Sequence, residues 1–420
     1  MLKASALFYA IVVALIMALI SSSLILFSYY NRLQFQTLQL QEQAILNASS
    51  GINLVLANSS FLDLNEHKII DLYGNGTDSV FLLRKQWGAF EIVVSKAFFK
   101  EFEITKSAQV GANITEDPKV ALYLADQDKP LSLCGLTIIK GTCYLPKSGV
   151  KRAYIEGQNF TGDRLINGEV KESAKSIPDA NKELLLANLG YFSNKYEEND
   201  SILIMEDHEV KDSIIHSFTH KTMLLYSNGK INLSKKYYSG NLRIVSAHSV
   251  YIASDAQLKD ILIYAPSVEI EEGFSGNIQV FATDSILIGK KCSLNYPSVI
   301  ALIRTDKSPE NIGLRIGEET LLSGVLLGYQ ENINHKKQLT LTIDKNVIVH
   351  GQVYAKGYVD LKGKIYGSLT CTKFILSTPS SVYENHLLNA TIDHTGLSQH
   401  FAGVSLINHS QSKQIVKWLY

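Results

Sequence analysis

LRIVSAHSVYIAS (242–254), ILIYAPSVEIEEG (261–273) and IQVFATDSILIGK (278–290) are the segments that decide the fold. They align when their starts are placed 19 and then 17 residues apart, and SVIALIRTD continues the series 20 residues further on, at 298. Apolar residues alternate on both sides of a small-residue corner, so their side chains point into one core. Because a unit of this size cannot bury its inner face alone, the period favours stacked coils, a β-solenoid, over a sandwich or an open antiparallel sheet.

A second repetitive stretch, TIDKNVIVHGQVYAKGYVDLKGKIYGSLTCTKFIL, covers 342–376 and has glycines at 351, 357, 363 and 367. Glycine adopts positive φ at tight corners and lets neighbouring backbones approach. The stretch resembles the repeats of bactofilins, polymer-forming bacterial cytoskeletal proteins, over about 35 residues. This resemblance implies stacked short coils and self-association into filaments.

The amino-terminal region predicts a membrane anchor. Residues 7–27 read LFYAIVVALIMALISSSLILF, with no charged residue, which is long enough to cross a bilayer as a helix. Lys3 precedes this run, while Tyr29, Tyr30 and Arg32 follow it at an interfacial position. The apolar run is too long for a cleaved signal peptide. The amino group and Lys3 outnumber Arg32, which favours an extracytoplasmic location, periplasm or cell surface, for the bulk of the chain.

Beyond the apolar run, residues 31–58 keep a helical pattern in which Leu38, Ile45 and Ile52 recur every seven positions. Such a helix packs either on partner helices or on its own globular domain, and the sequence leaves both open. A long N-terminal helix, half apolar and half amphipathic, resembles type IV pilin and pseudopilin proteins. The leader MLKASA departs from their pattern, since it lacks a glycine before the span and the span lacks a glutamate. The resemblance implies a part in secretion or appendage assembly.

These observations predict a mainly β protein in four parts. Residues 1–60 form the transmembrane helix and amphipathic stalk, and 61–235 a mixed α+β middle domain that includes the helical run NKELLLANLGYF (181–192). Residues 236–377 form the β-solenoid. Residues 378–420, where the period is lost, form a C-terminal cap that protects the end of the stack.

The sequence offers little chemistry. Forty basic and forty acidic residues balance, which argues against a nucleic-acid partner. Cys134, Cys143, Cys292 and Cys371 form no CxxC pair, so no zinc site is expected. The first two are nine residues apart and are interpreted as buried free thiols, or as a hairpin disulfide in an oxidising compartment.

Two further groups of side chains are candidates for a metal or catalytic site. His216 and His220 are four residues apart, but Ser217 stands where a zinc protease has its glutamate. The acidic residues of the repeats alternate with inward-facing apolar residues, as on a solvated face; these are Asp255, Asp260, Glu269, Glu271 and Glu272. We therefore assign no catalytic, cofactor-binding or metal-binding residue, expect no cofactor, and expect a protein that is not an enzyme.

The function expected from the sequence is a membrane-anchored structural or assembly scaffold of the bacterial cell envelope, which acts by binding and self-association. A pilin-like secretion or appendage component fits this description. Its expected partners are the membrane, other proteins and further copies of the chain, with a glycan as another candidate. One alternative is a bactofilin-like filament former on the cytoplasmic face of the membrane. Another is a surface solenoid that binds or modifies glycans.

Overall fold

The computed structural model describes residues 2–58, 60–74, 76, 78–114, 119–193, 201–204, 211–305, 308, 313–331, 338–407 and 412–419. The protein is mainly β, with one long apolar helix at its N-terminus, as the sequence predicts. The helices are α1 (Leu2–Ala57) and α2 (Lys182–Gly190). Two 3-10 turns are also present, at Tyr191–Ser193 and His394–Gly396.

The strands, in chain order, begin with β1 (Glu66–Asp71), β2 (Ser79–Trp87), β3 (Phe90–Phe99), β4 (Phe102–Asn113), β5 (Val120–Leu124), β6 (Leu131–Cys134), β7 (Ile138–Lys140), β8 (Thr142–Leu145), β9 (Val150–Arg152), β10 (Tyr154–Ile155), β11 (Gln158–Asn159), β12 (Val170–Glu172), β13 (Ser201–Ile204), β14 (Ser213–His216), β15 (Met223–Ser227) and β16 (Ile231–Asn232). They continue with β17 (Tyr237–Gly240), β18 (Leu242–Ser246), β19 (Ser249–Ile252), β20 (Gln257–Ile270), β21 (Ser275–Ile288), β22 (Ser293–Arg304), β23 (Leu314–Ile316), β24 (Leu321–Gln330), β25 (Thr340–Ile343), β26 (Ile348–Leu361), β27 (Lys364–Ser377), β28 (Val382–Glu384), β29 (His386–Leu388), β30 (Thr391–Asp393), β31 (Ala402–Gly403) and β32 (Lys413–Leu419).

Strands β1 to β4 form an antiparallel meander, and β31 and β32 both pair with the outer edge of β4. The C-terminal turns of α1, from Ala44 onward, pack across this sheet. Its buried residues Ala48, Ile52 and Val55 share a core with residues such as Val93. At Gly51 the helix comes so close that an added Cβ would lie 2.4 Å from Ser95 Oγ.

The heptad residues of α1 therefore divide between two environments. Ile52 is fully buried on the sheet, whereas Ile45 is 36% and Leu38 63% exposed. Asn47 marks the boundary, because its side-chain amide donates to Asp78 Oδ1 at 2.6 Å. Of the two packing alternatives, the C-terminal turns of the helix pack on the chain's own sheet, while residues 5–39 are exposed.

The second, larger sheet is parallel and closes on itself in a barrel-like arrangement, apart from the antiparallel pair β27 and β28. The sequence offsets of 19 and 17 residues are confirmed, since Arg243 pairs with Leu262 and Leu262 with Gln279. One buried column crosses ten successive strands: Leu225, Ile244, Ile263, Val280, Ile300, Leu326, Val353, Leu369, Leu122 and Cys143. We call this arrangement the parallel stack.

The stack does not end where the period ends. Strand β5 pairs with β27, β8 pairs with β5, and β12 pairs with β8, so residues 120–172 continue the stack beyond 364–377. The range 61–235, which was expected to form one α+β domain, thus contributes strands to both sheets. The tail expected as a cap is also divided, because β30 pairs within the stack while β32 completes the antiparallel sheet.

The antiparallel sheet lies between α1 and the stack. Side chains on its second face, among them Phe90, Ile92 and Val94, share a core with Tyr264 and Phe281 from the outside of the stack. Helix α2 fills the rim of the same core through Leu184 and Leu185. The molecule therefore has three layers: helix, antiparallel sheet and parallel stack.

A substitution at Gly351 tests whether the corners of the stack require glycine. Gly324, Gly351 and Gly367 are neighbours on successive strands with φ of +146°, +143° and +149°. A Cβ on Gly351 would lie 1.9 Å from the main-chain oxygen of Gly324, which cannot rotate away. We expect Gly351→Ala to lower the free energy of unfolding by at least about 3 kcal/mol, measured by urea unfolding of the full chain in detergent. Gly229→Ala is the control, because its Cβ meets only Ser227 Oγ at 3.7 Å; equal midpoints for the two variants would contradict the corner geometry.

Candidate functional surfaces and clefts

The most conspicuous surface is the free part of α1. Its most apolar 18-residue window has a mean hydropathy of 2.7 and is 0% buried, so by length and composition this helix is suited to cross a membrane. Tyr29 and Tyr30, both 60% exposed, follow the apolar run and lie edge to face. Aromatic residues of this kind are enriched at membrane interfaces.

A polar joint fixes the antiparallel sheet to the stack. The turn between β2 and β3 presents its main chain to Gln279, whose Oε1 accepts from Ala89 N at 2.8 Å and whose Nε2 donates to Trp87 O at 3.2 Å. Asn188 of α2 donates to Gly88 O at 3.0 Å and accepts from the Tyr264 hydroxyl at 2.8 Å. These buried bonds satisfy the turn's main-chain groups, which would otherwise be costly to bury.

A charged network lies at the end of the sheet opposite the exit of the free helix. Arg84 makes two bonds to Glu91, Nε–Oε2 at 2.9 Å and Nη2–Oε1 at 3.1 Å, and Lys413 Nζ lies 2.8 Å from the same carboxylate. Arg84 also donates to Leu62 O at 2.7 Å, just beyond α1. Burial alone would raise the pKa of Glu91, but the bonds and charges of Arg84 and Lys413 outweigh it and hold that pKa below its ordinary value. A cleft of about 490 Å³ opens beside the network.

Two further clefts are lined by lysines. One, of about 600 Å³, has the apolar floor Phe81, Leu83 and Phe218 between the antiparallel sheet and the stack. The other, of about 480 Å³, lies on a corner of the stack. We call this second one the lysine cleft. It is lined by Lys129, Lys175, Lys356 and Lys373, with Asp179 and Glu384 as the acidic residues among its described walls.

The groups weighed from the sequence do not converge on one site. His216 ends β14, and its ring lies 5.7 Å from that of His220, but its Nε2 is 2.6 Å from Lys221 O. In the part of the chain that the structure describes, no group of three or more His, Cys, Asp or Glu side chains is placed to hold a metal ion. The four cysteines are buried free thiols, and burial raises the pKa of each, that of Cys143 to about 12. A thiol that resists ionisation is a poor nucleophile.

The repeat carboxylates have separate partners. Asp260 is paired with Lys417 of β32 at 2.6 Å. Asp255 accepts from Lys235 N at 2.9 Å, and Glu271 accepts from Ser254 N at 2.7 Å. These bonds join the stack to the last strand and close turns. Tyr251 lies among Asp255, Glu269 and Glu271, and the hydrogen bond to Glu271 is the largest cause of its raised pKa. The lysine cleft was missed from the sequence, because its members come from four distant segments.

Comparison with models of known protein families, with curated proteins and with solved structures finds no match to this chain.

Glu91→Gln tests the charged network. The variant removes the carboxylate that pairs with Arg84 and Lys413 in a mostly buried position, so we expect it to lose about 3 kcal/mol of stability at pH 7 in urea unfolding. Folding lowers the pKa of Glu91. Its contribution to the free energy of unfolding is therefore fully present above the pKa that Glu91 has in the unfolded chain, and it is lost as the pH falls through the pKa that Glu91 has in the folded protein. The difference between the native chain and the variant should therefore shrink below about pH 4.

The matched control is Glu103→Gln, which removes a carboxylate paired with Lys96 at 2.6 Å on the exposed surface. An exposed pair of this kind contributes little, and we expect a change of less than about 1 kcal/mol. If the Glu91 and Glu103 variants lost equal stability, or if the Glu91 effect were independent of pH, the network would not hold the sheet end in place.

Proposed function

We propose that this protein is a membrane-anchored structural or assembly scaffold of the bacterial cell envelope, and that its parallel stack is a β-solenoid. The observation that carries the proposal is the free half of α1. It projects from the two β layers, and its apolar surface is not covered by any part of the chain that the structure describes. The mechanism is binding and self-association through extended surfaces, without a cofactor.

The solenoid interpretation is supported by the pairing pattern. Successive strands pair in parallel with near-constant offsets, and the inner positions form one continuous apolar core from Leu122 to Ile392. Two longer steps, from Val299 to Val325 and from Val325 to Gln352, are accommodated at corners. Stacked coils absorb extra residues at their corners without losing register, because each coil contacts only its neighbours.

The pilin-like interpretation is supported by the way α1 is held. A helix that is apolar and free over its N-terminal part, with its C-terminal turns packed on an antiparallel meander, has both parts that the resemblance implies. The free half would pack in the membrane or with other copies, while the sheet fixes its other half. We include an extracytoplasmic location in the proposal, because positive charge is greater before the apolar run than after it.

A bactofilin-like filament on the cytoplasmic face is the second candidate. The observation that favours it is that, among the described residues, β12 pairs only with β8 and β14 only with β17 within the stack. Each end of the stack therefore presents a strand with one unpaired edge, which is a template for end-to-end association.

Membrane topology separates the two candidates. We would fuse the C-terminus either to a phosphatase that is active only outside the cytoplasm or to a fluorescent protein that is bright only inside. The envelope scaffold predicts phosphatase activity without fluorescence. Fluorescence without phosphatase activity would overturn the extracytoplasmic proposal and favour the filament.

The anchor itself is tested with Ile16→Arg combined with Leu19→Arg. Two arginines in the middle of the apolar run would cost roughly 5–7 kcal/mol of insertion free energy. We expect the variant to move from the membrane fraction to the supernatant in alkaline carbonate extraction. The control, Phe35→Arg with Leu38→Arg, places the same charges on exposed positions beyond the run and should stay in the membrane fraction. Retention of both variants would mean that α1 is not the anchor.

A further inference from the structure

The lysine cleft crosses four successive levels of the stack. Thr340 pairs with Tyr358, and Tyr358 with Lys373, so the walls at 338–339, 356–358 and 372–373 belong to consecutive strands. Strand β5 adds the next level, since Cys371 pairs with Leu124 just before the loop that holds Gln127 and Lys129. Three strand spacings give the cleft a length of roughly 14 Å. The cleft is thus a short groove along the stack and not a single-residue pocket.

Positive charge dominates this groove. Lys129 and Lys373 share one carboxylate, that of Glu384, with Nζ–O distances of 2.5 and 3.3 Å. Both bonds lower the pKa of Glu384, the one from Lys129 more strongly, so this acid is ionised and neutralises one of the two lysines. Lys175 and Lys356 have no acid within 4 Å among the described residues, although Asp179 lies in the same wall. Four lysines face two acids, which leaves a local excess of positive charge in a chain whose total charge is zero.

The groove also contains an unused hydrogen-bond acceptor. Gln338 lines the cleft, and its Oε1 is shielded from solvent and has no hydrogen-bond partner among the described residues, so a ligand in the cleft would reach it after a turn of the side-chain amide. A buried acceptor without a partner is costly, and a ligand that brings a donor would satisfy it. Carboxylates and phosphates do not donate, so the charge of the groove and the unused acceptor require different groups on the ligand. Hydroxyls beside an acidic group meet both requirements.

Aromatic rings are placed beside the lysines. Lys373 Nζ lies 5.5 Å from the centre of the Tyr358 ring, and Lys356 Nζ lies 5.2 Å from that of Tyr329. These contacts hold the ammonium groups near the groove at little cost in side-chain entropy. Tyr358 also gives the wall a flat apolar face with a polar edge, a surface on which a sugar ring can lie. Amide side chains of Gln127 and Gln330 complete the polar lining.

We propose that the lysine cleft binds an acidic carbohydrate, a chain of a few sugar residues that carry carboxylates. The lysines pair with the carboxylates, Gln338 accepts from a sugar hydroxyl, and Tyr358 contacts a ring face. This binding site goes beyond the scaffold function. It rests on the proposed function in one respect, because a scaffold at the cell envelope would encounter such a polymer. An acidic peptide would satisfy the charges, and its main-chain N–H groups could donate to Gln338, but a peptide of aspartates has no ring to lie on Tyr358.

Binding of trigalacturonate to the full-length protein in detergent micelles tests the proposal, with titration calorimetry as the measurement. Neutral maltotriose and an acidic peptide of three aspartates are the comparison probes. We expect trigalacturonate to bind at least about tenfold more tightly than either, and its affinity to fall with added salt because the charges are only partly buried. Membrane topology does not enter this experiment, so its failure is distinct from failure of the scaffold function.

Variants assign the binding to the cleft. Lys356→Ala and Lys175→Ala should each weaken trigalacturonate binding about tenfold, as expected for the loss of one charge-assisted contact. Lys290→Ala is the matched control, since this exposed lysine pairs with Glu318 on another face and should leave the affinity unchanged. Gln338→Met should weaken binding of the sugar, because the acceptor for a sugar hydroxyl is lost. Equal binding of the two acidic probes, no binding of either, or unchanged affinity in both lysine variants would each overturn the proposal.

Discussion

Burial of both faces of β3 is the constraint on which the rest of the structure depends. Val93 and Ala97 point towards α1, while Ile92 and Val94 point towards the stack. Each such apolar side chain contributes about 1.5–3 kcal/mol when it leaves water, and here alternate residues of one strand do so in opposite directions. Loss of either neighbouring layer would expose half of these side chains. The helix and the stack are therefore coupled through the antiparallel sheet that contains β3, although they share no strand pairing.

The same sheet also closes the chain. Strand β4 leads out of it towards the stack, and β31 and β32 return to its free edge. Everything from 119 to 393 is in effect an insertion between neighbouring strands of the antiparallel sheet. Lys413 pairs with Glu91 of the antiparallel sheet and Lys417 pairs with Asp260 of the stack, so the returning strand is held to both layers. An edge strand that is covered in this way is protected from pairing with other chains.

The sequence predicts pairing between strands that are neighbours along the chain, but not pairing between strands that are far apart in the sequence. The offsets from 242 to 298 match the strand register, because stacked strands repeat the alternation of apolar residues in order along the chain. Of the corner glycines, Gly351 and Gly367 have positive φ as expected, while Gly357 and Gly363 serve close approach, with an added Cβ 2.5 Å from a main-chain oxygen. The pairing of Leu122 with Leu369 is not indicated by any repeat in the sequence, since the segment around Leu122 is a single strand-forming segment without a period.

The segment FEIVVSKAFF (90–99) shows why packing between distant parts of the chain is not predictable from the local sequence pattern. Interpreted as one short alternating strand, it predicts one buried and one solvated face. Its successive buried residues, Ile92 to Ser95, are instead the pattern of a strand covered on both faces, which is typical of sheets that have a layer on each side. The apolar run was visible in the sequence, but the second covering layer comes from residues more than a hundred positions away.

The lysine cleft follows from the same division between repeated and non-repeated positions. Inner positions of the stack must be apolar and of similar size, because each is packed against the corresponding residue of the next strand. Corners carry no such restriction, and the loops at 127–129 and 175–179 are free to bring lysines beside those at 356 and 373. Specific chemistry in this fold is therefore concentrated at corners where separate segments meet. A repeat consensus describes how the stack is held together, whereas its ligands are determined by the residues that the consensus omits.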